Sequence, residues 1–334
     1  MKKQNAPTMK DVAREAGVAL GTVSKVINGI PVREEYRKKV EDAIAKLDYE
    51  VNTYARGLKV QKSNTVTLIV PDVINPFYST FANYVENALY RKGHFMVLCC
   101  SSGIPDKEVE YLSMASKNQS DGIIALTYSD IGKYVLRDLP LVSFDRLFDN
   151  GFTPRVASDN FAGGILGTEK LLECGCRQPA FIRFKSDLEG EADKRMEGYL
   201  HACKLHNLKP IYLDKGIDVD AKSAIASFIE EHRNANGTLD FDGIFANTDF
   251  HAYEALKILN KMGYRVPEDI QIIGFDGICK FGSPEMGLVV SSICQPVEAL
   301  AQTCVDIVLA KERSTIPSLT LLPVTYQYGG TTKK

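Results

Sequence analysis

From Thr65 onward, short apolar runs recur at 66–70, 95–100, 122–126, 141–144, 180–183, 243–246 and 270–274, separated by longer stretches of helical periodicity. Strands that read as continuous apolar runs are covered on both faces, so this alternation implies parallel sheets with helices on either side. In such a doubly wound α/β fold, ligands sit beyond the carboxyl ends of the strands. At 334 residues the chain exceeds what one core usually serves. A small first domain is therefore expected, followed by a body large enough to divide into lobes.

The strand ends carry the chemistry. Asp72 and Asn75-Pro76-Phe77 follow the first run, Asp145-Arg146 the fourth, Asp249 the sixth and Asp276 the seventh, while Arg195 stands near the start of a helical stretch. Carboxylates and amides exchange hydrogen bonds with hydroxyls, an aromatic face suits a sugar ring, and a guanidinium donates a forked pair. Any one Asp or Asn after a strand is more readily a helix cap or turn residue. The cluster points to a polyol site.

The first sixty residues follow another pattern. Thr8 can cap a helix with Asp11 three residues on, and Met9, Val12, Ala13 and Ala16 form one apolar stripe. After the Gly17-Val18-Ala19 turn, Val23, Val26 and Ile27 face inward, leaving Leu20, Gly21, Thr22, Ser24, Lys25 and Asn28 outward. A third helix, about 33–47, is expected to bury Tyr36, Val40, Ile44 and Leu47. Two short helices across a tight turn fit a major groove with the second. Charge agrees: residues 1–62 carry +5 and the remainder −7, within a total of −2. A basic head on an acidic body suits a polyanion partner.

These motifs together resemble the lactose-repressor family. Met9-Lys-Asp-Val-Ala-Arg-Glu-Ala-Gly-Val18, Thr22-Val-Ser-Lys-Val-Ile-Asn28 and Leu47-Asp-Tyr49 resemble its headpiece, and Asn52 with Ala55-Arg-Gly-Leu58 its hinge helix. Pro71-Asp-Val-Ile-Asn-Pro-Phe77, Ser158-Asp-Asn160, Asp269-Ile-Gln-Ile-Ile-Gly-Phe-Asp276 and Ser291-Ser-Ile-Cys-Gln-Pro296 resemble its effector domain. The ending is similar to ribose and sucrose operon repressors of Gram-positive bacteria. Three positions depart: Ala19 replaces a capping Ser, Val51 replaces a Pro, and Gly21 is unusual in a recognition helix.

The resemblance implies a three-helix headpiece at 1–50, a hinge helix at 51–62, and a two-lobed body at 63–334 like type I periplasmic binding proteins. Lobe 1 would hold about 63–160 and 292–319, and lobe 2 about 161–291 and 320–334. Thr8 and the outward residues of the second helix would face DNA, joined by Tyr54, Ala55, Arg56 and Leu58. Phe77, Arg195, Asp249 and Asp276 would bind the effector. The implied function is regulation, as a repressor, of a carbohydrate operon. Its partners would be a pseudo-palindromic operator, a small sugar or sugar phosphate, and a second copy of the chain, with no cofactor, metal or membrane.

Rival readings are weaker. Ala162-Gly-Gly-Ile-Leu-Gly167 follows a strand but has Ala where a dinucleotide fingerprint needs Gly, so helix packing is the expected role of these glycines. No phosphate loop or His-Glu-x-x-His zinc motif occurs, and most of the five histidines are expected on solvated helices. The eight cysteines show no zinc or Cys-x-x-Cys spacing and read as reduced packing residues, with Cys99 and Cys100 on a buried strand. A transport binding protein would share the body, but would need a secretory signal and no DNA head. The polar N-terminus predicts the cytoplasm.

Overall fold

The structure is a computed structural model that describes residues 7–49, 63–148, 150–186, 188–278 and 288–334. Two compact units meet in sequence at Ser63–Asn64. The expected hinge at 51–62, including Tyr54, Ala55, Arg56 and Leu58, lies outside the described residues.

The first unit contains α1 (Met9–Ala16), α2 (Leu20–Ile27) and α3 (Glu34–Leu47). The Asp11 carboxylate accepts from the Thr8 backbone N–H at 2.9 Å and from its hydroxyl at 2.6 Å, fixing the first turn. Gly17 then ends α1 at φ 62°, a left-handed conformation that costs glycine nothing. Ala19 caps α2 with no side-chain acceptor, which costs about 1 kcal/mol relative to Ser. Val12, Ala13, Ala16, Val23, Val40, Ala43 and Tyr49 form the core, with Met9, Val26, Ile27, Ile44 and Leu47 packed against it. Tyr36 corrects the sequence expectation. It is exposed, in the first turn of α3 with the Lys39 ammonium 6.0 Å from its ring, and Ala43 is buried instead. An amphipathic phenol tolerates that wet position.

The second unit holds two six-stranded sheets among the described residues. In chain order its elements are β1 (Thr65–Val70), α4 (Pro76–Arg91), β2 (Phe95–Cys100), α5 (Pro105–Lys117), β3 (Gly122–Ala125), β4 (Leu141–Phe144) and β5 (Arg155–Ser158). Then come α6 (Asn160–Glu173), β6 (Pro179–Lys185), α7 (Lys194–Leu205), β7 (Ile211–Gly216), α8 (Ala221–Glu231), β8 (Gly243–Ala246), α9 (Asp249–Lys261) and β9 (Gln271–Asp276). The chain finishes with β10 (Ser291–Cys294), α10 (Val297–Val308), β11 (Leu319–Leu322) and β12 (Thr325–Gln327). The first sheet runs β11-β5-β4-β3-β1-β2 and the second β12-β10-β9-β8-β6-β7. Each described pair is parallel except β10–β12.

All seven apolar runs are strands. Phe95–Cys100 differs from expectation in burial, however: β2 ends its sheet, and Phe95 is 68% exposed with Val97 and Leu98 also open. The lobe boundaries shift as well. The first crossing falls at Asp159–Asn160 as expected, but β10 pairs with β9 and β12, so the second comes at Gln295–Pro296. β11 pairs with β5, so the return comes at Pro323–Val324, beyond residue 319. In between, α10 seals the first lobe by burying Val297, Leu300, Ala301, Cys304, Val305 and Val308.

The glycines of α6 serve packing. A methyl on Gly163 would meet the Phe275 ring at 2.7 Å, on Gly164 the Arg195 carbonyl oxygen at 2.3 Å, and on Gly167 the Phe245 ring at 2.6 Å. Cys99, Cys176, Cys203 and Cys304 are buried free thiols, and burial pushes Cys176 up to about 12.

Candidate ligand cleft and nucleic-acid interface

Both candidate surfaces follow from the local folds. On the first unit, Val23, Val26 and Ile27 anchor α2, which leaves Leu20, Gly21, Lys25 and Asn28 exposed and Thr22 and Ser24 half-buried. The Asn28 amide donates to the Ser24 carbonyl at 2.7 Å and lies 3.4 Å from its hydroxyl. Thr8 is exposed, with its hydroxyl on Asp11. Lys25 is the cation of this face.

In the second unit the carboxyl ends of both sheets open onto one cavity of about 140 Å³, whose walls include Asn75, Phe77, Asp145, Arg146, Arg195 and Asp276. Arg195, in the first turn of α7, organises its floor. Its Nε donates to the Asn160 side-chain oxygen at 2.7 Å and its Nη1 to the Asn247 carbonyl at 2.5 Å. Nη1 also lies 3.5 Å from Asp276 Oδ1, and the guanidinium sits 3.6 Å over the Phe275 ring. Gln295 donates to Asp276 at 2.7 Å and accepts from the Ser158 hydroxyl at 2.8 Å, while Asn160 donates to the Ser158 carbonyl at 2.9 Å. The result is a closed ring of polar groups threaded through two interlobe crossings. Both lobes share it.

This burial shifts proton affinities. Desolvation pushes Asp276 up to about 7 against the opposing Arg195 charge, and it raises Asp145 against Arg195 and Arg146. A raised carboxyl adds stability that is full below about pH 4 and is lost as pH rises through about 7. Asp276→Asn should therefore flatten the fall in melting temperature between pH 5 and pH 8. An equally steep fall in the variant would assign it to other groups.

Two sequence candidates are not among the residues lining the cavity. The Asp72 carboxylate accepts from the Ile74 and Asn75 backbone N–H groups, both at 2.8 Å, shaping the turn into α4. Asp249 is buried, accepting from the Ser292 hydroxyl at 2.5 Å and the Ile278 N–H at 2.8 Å, and so braces the backbone after Asp276. Phe77 lines the cavity but is also core, with its ring 5.9 Å from Phe144 and 6.4 Å from Phe81.

Sequence reasoning passed over Tyr78, Tyr128, Arg183, Lys185, Asn247 and Gln295, which also line the cavity. Arg183 and Lys185 close β6, so the strand-end rule already pointed at them. Tyr128 and Tyr78 meet hydroxyl to hydroxyl, with the Arg146 guanidinium 4.8 Å from the Tyr128 ring; nothing local in sequence signals that pair. His251 is lowered by burial to about 4, with Nδ1 2.9 Å from the Asn247 side-chain oxygen.

Comparison with known proteins matches a family model to each unit. Residues 8–52 match bacterial regulatory proteins of the lacI family, and residues 168–332 match a periplasmic binding protein-like domain. The chain is 35% identical to the ribose operon repressor of Halalkalibacterium halodurans over 81% of its own length and 80% of that protein's. It is 32% identical to the sucrose operon repressor of Streptococcus mutans, covering 95% and 96%. A LacI transcriptional regulator from Alkaliphilus metalliredigens, solved with D-xylulofuranose, superposes with TM-score 0.67 at 28% identity over 81% of this chain and all of that one. The lac repressor dimer bound to operator shares the fold, with TM-score 0.83 over 99% of this chain and all of that one at 21% identity. No helix among the described residues is long and apolar enough to cross a membrane. Headpiece, cleft and full-length relatives converge: the chain belongs to the lacI family of bacterial regulatory proteins.

Proposed function

We propose that this chain is a dimeric, cytoplasmic transcriptional repressor of a carbohydrate-utilisation operon, acting by binding and without catalysis. The observation that carries this reading is the presence in one chain of a helix-turn-helix with an exposed cationic face and a two-lobed cleft lined by carboxylate, guanidinium and aromatic groups. The named roles of the ribose and sucrose relatives support a sugar effector, as does the D-xylulofuranose in the structural neighbour. An effector that fits one lobe arrangement better shifts the protein toward it by that differential affinity alone. The open β2 edge, with Phe95, Val97 and Leu98 exposed, supports dimer formation through the first lobe.

On operator DNA, Leu20, Gly21 and Lys25 would face base edges, with Thr8, Thr22, Ser24 and Asn28 beside them. In the hinge, Leu58 would wedge into the minor groove and Arg56 would neutralise phosphate, with Tyr54 and Ala55 alongside. Lys25→Ala should cost about 1–3 kcal/mol at one base pair of the operator. A loss equal on all sequences would make Lys25 a phosphate contact. The reading as a whole is tested by a gel shift on promoter DNA of neighbouring sugar genes, titrated with sugars. A chain that shifts no such DNA would overturn it.

A further inference from the structure

Four cations line the cleft among its described residues: Arg146, Arg183, Lys185 and Arg195. Each already has a partner within the protein. Arg183 donates to both Asp214 oxygens, at 3.0 and 2.6 Å, and to Asp193 at 3.2 Å. Lys185 lies 3.8 Å from the same Asp214 carboxylate. Arg146 reaches across the lobes to the Leu188 carbonyl at 2.7 Å, and Arg195 is held in the polar ring.

Two helix starts at the cleft, those of α4 and α9, are similarly occupied by their own side chains. The Asn75 side-chain oxygen accepts from the Phe77 N–H at 3.0 Å, and the Thr248 hydroxyl accepts from the His251 N–H at 3.2 Å. A phosphate needs donors that are free to turn toward it, and here it would have to break charge-assisted pairs first. It would also lie near the buried Asp145 and Asp276 carboxyls.

We infer that the cleft selects uncharged sugars over their phosphate esters, and that Asp193 and Asp214 enforce this by neutralising Arg183. The inference rests on the sugar reading proposed above and narrows its ligand class. Burial drives the Asp214 carboxyl upward, yet the hydrogen bonds and charge of Arg183 hold it below its ordinary range, as a tight pair requires. A neutral polyol needs only single hydrogen bonds. The second lone pairs and second N–H groups of the carboxyls, the Asn247 and Gln295 amides and the tyrosine hydroxyls can make these without breaking their existing ones.

The test is calorimetry on the full chain with D-ribose, D-fructose, D-ribose 5-phosphate and D-fructose 6-phosphate. A free sugar should bind, and its ester at least about 100-fold more weakly, because an unpaired anion would be buried. Asp193→Asn and Asp214→Asn, singly and together, free Arg183 and should narrow that gap about tenfold or more. An ester that binds as tightly as the free sugar would overturn this inference and leave the sugar reading intact. Failure of all four probes would count against both. If the free sugar is preferred but folded variants keep the full gap, the role of Asp193 and Asp214 falls. Each single variant is nearly isosteric, and the wild-type ranking decides the charge preference even where a variant fails to fold.

Discussion

Arg195→Met should abolish effector binding and destabilise the second unit by up to about 3–5 kcal/mol, the range for breaking a buried ion pair from one side. The side chain is buried and bonded to Asn160 and the Asn247 carbonyl, with Asp276 close by. Without it those acceptors lose their donor, and the buried Asp276 carboxyl loses its nearby guanidinium while keeping the hydrogen bond from the neutral Gln295 amide. Protonation offers one relief. Asp276 already titrates near 7, and loss of the guanidinium moves it further up, so at pH 5 the carboxyl is neutral and the penalty shrinks. Urea unfolding should show the larger destabilisation at pH 8, while operator binding persists under conditions where the variant is folded. Arg195→Lys should keep part of the stability, but not the binding, because an ammonium cannot reproduce the planar fork. Wild-type sugar affinity in Arg195→Met would remove this residue from the site.

Gly164→Ala is the second large effect, and it is steric. The methyl would lie 2.3 Å from the Arg195 carbonyl oxygen and 2.9 Å from the Gly198 Cα, where α6 and α7 cross. Alanine improves helix propensity by about 1 kcal/mol, so the clash must exceed that gain to show at all. Both obstructions are backbone, which cannot swing aside as a side chain can, and overpacking of this kind costs about 1–3 kcal/mol or more. The helices must part, and Arg195 moves with α7. Expected together are a lower urea midpoint and weaker sugar binding. Gly21→Ala is the contrasting case, since nothing lies within 4 Å of its added methyl and the helix gain stands alone. Equal stabilisation by both substitutions would show that α6 and α7 have room to spare.

Local sequence pattern carried the three headpiece helices and seven of the described strands, because short-range physics controls them, but β5, β7, β10, β11 and β12 are not among the apolar runs. Short apolar runs bounded by turn residues favour strands, and the stripe of Val12, Ala13 and Ala16 favours a face packed on neighbouring helices. Strand-end placement, together with family likeness, also brought Phe77, Asp145, Arg146, Arg195 and Asp276 to one cavity. Tertiary structure alone decided which polar groups line the cavity. Asp72 and Asp249 have the residue type and strand-end position that suggest ligand contacts, but they are not among the lining residues and accept hydrogen bonds from neighbouring N–H groups or a hydroxyl. The same holds for β2, whose apolar run reads as buried because a sequence does not state which strand ends the sheet. Tyr78 and Tyr128, 50 residues apart, meet only because parallel strands bring their carboxyl ends to one edge. Arg183 is legible as a strand-end cation, but its neutralisation by Asp193 and Asp214 depends on β7 lying beside β6. Propensity and periodicity act over a few residues, whereas the charge state of a cleft is set by partners that only the folded chain brings within hydrogen-bond distance.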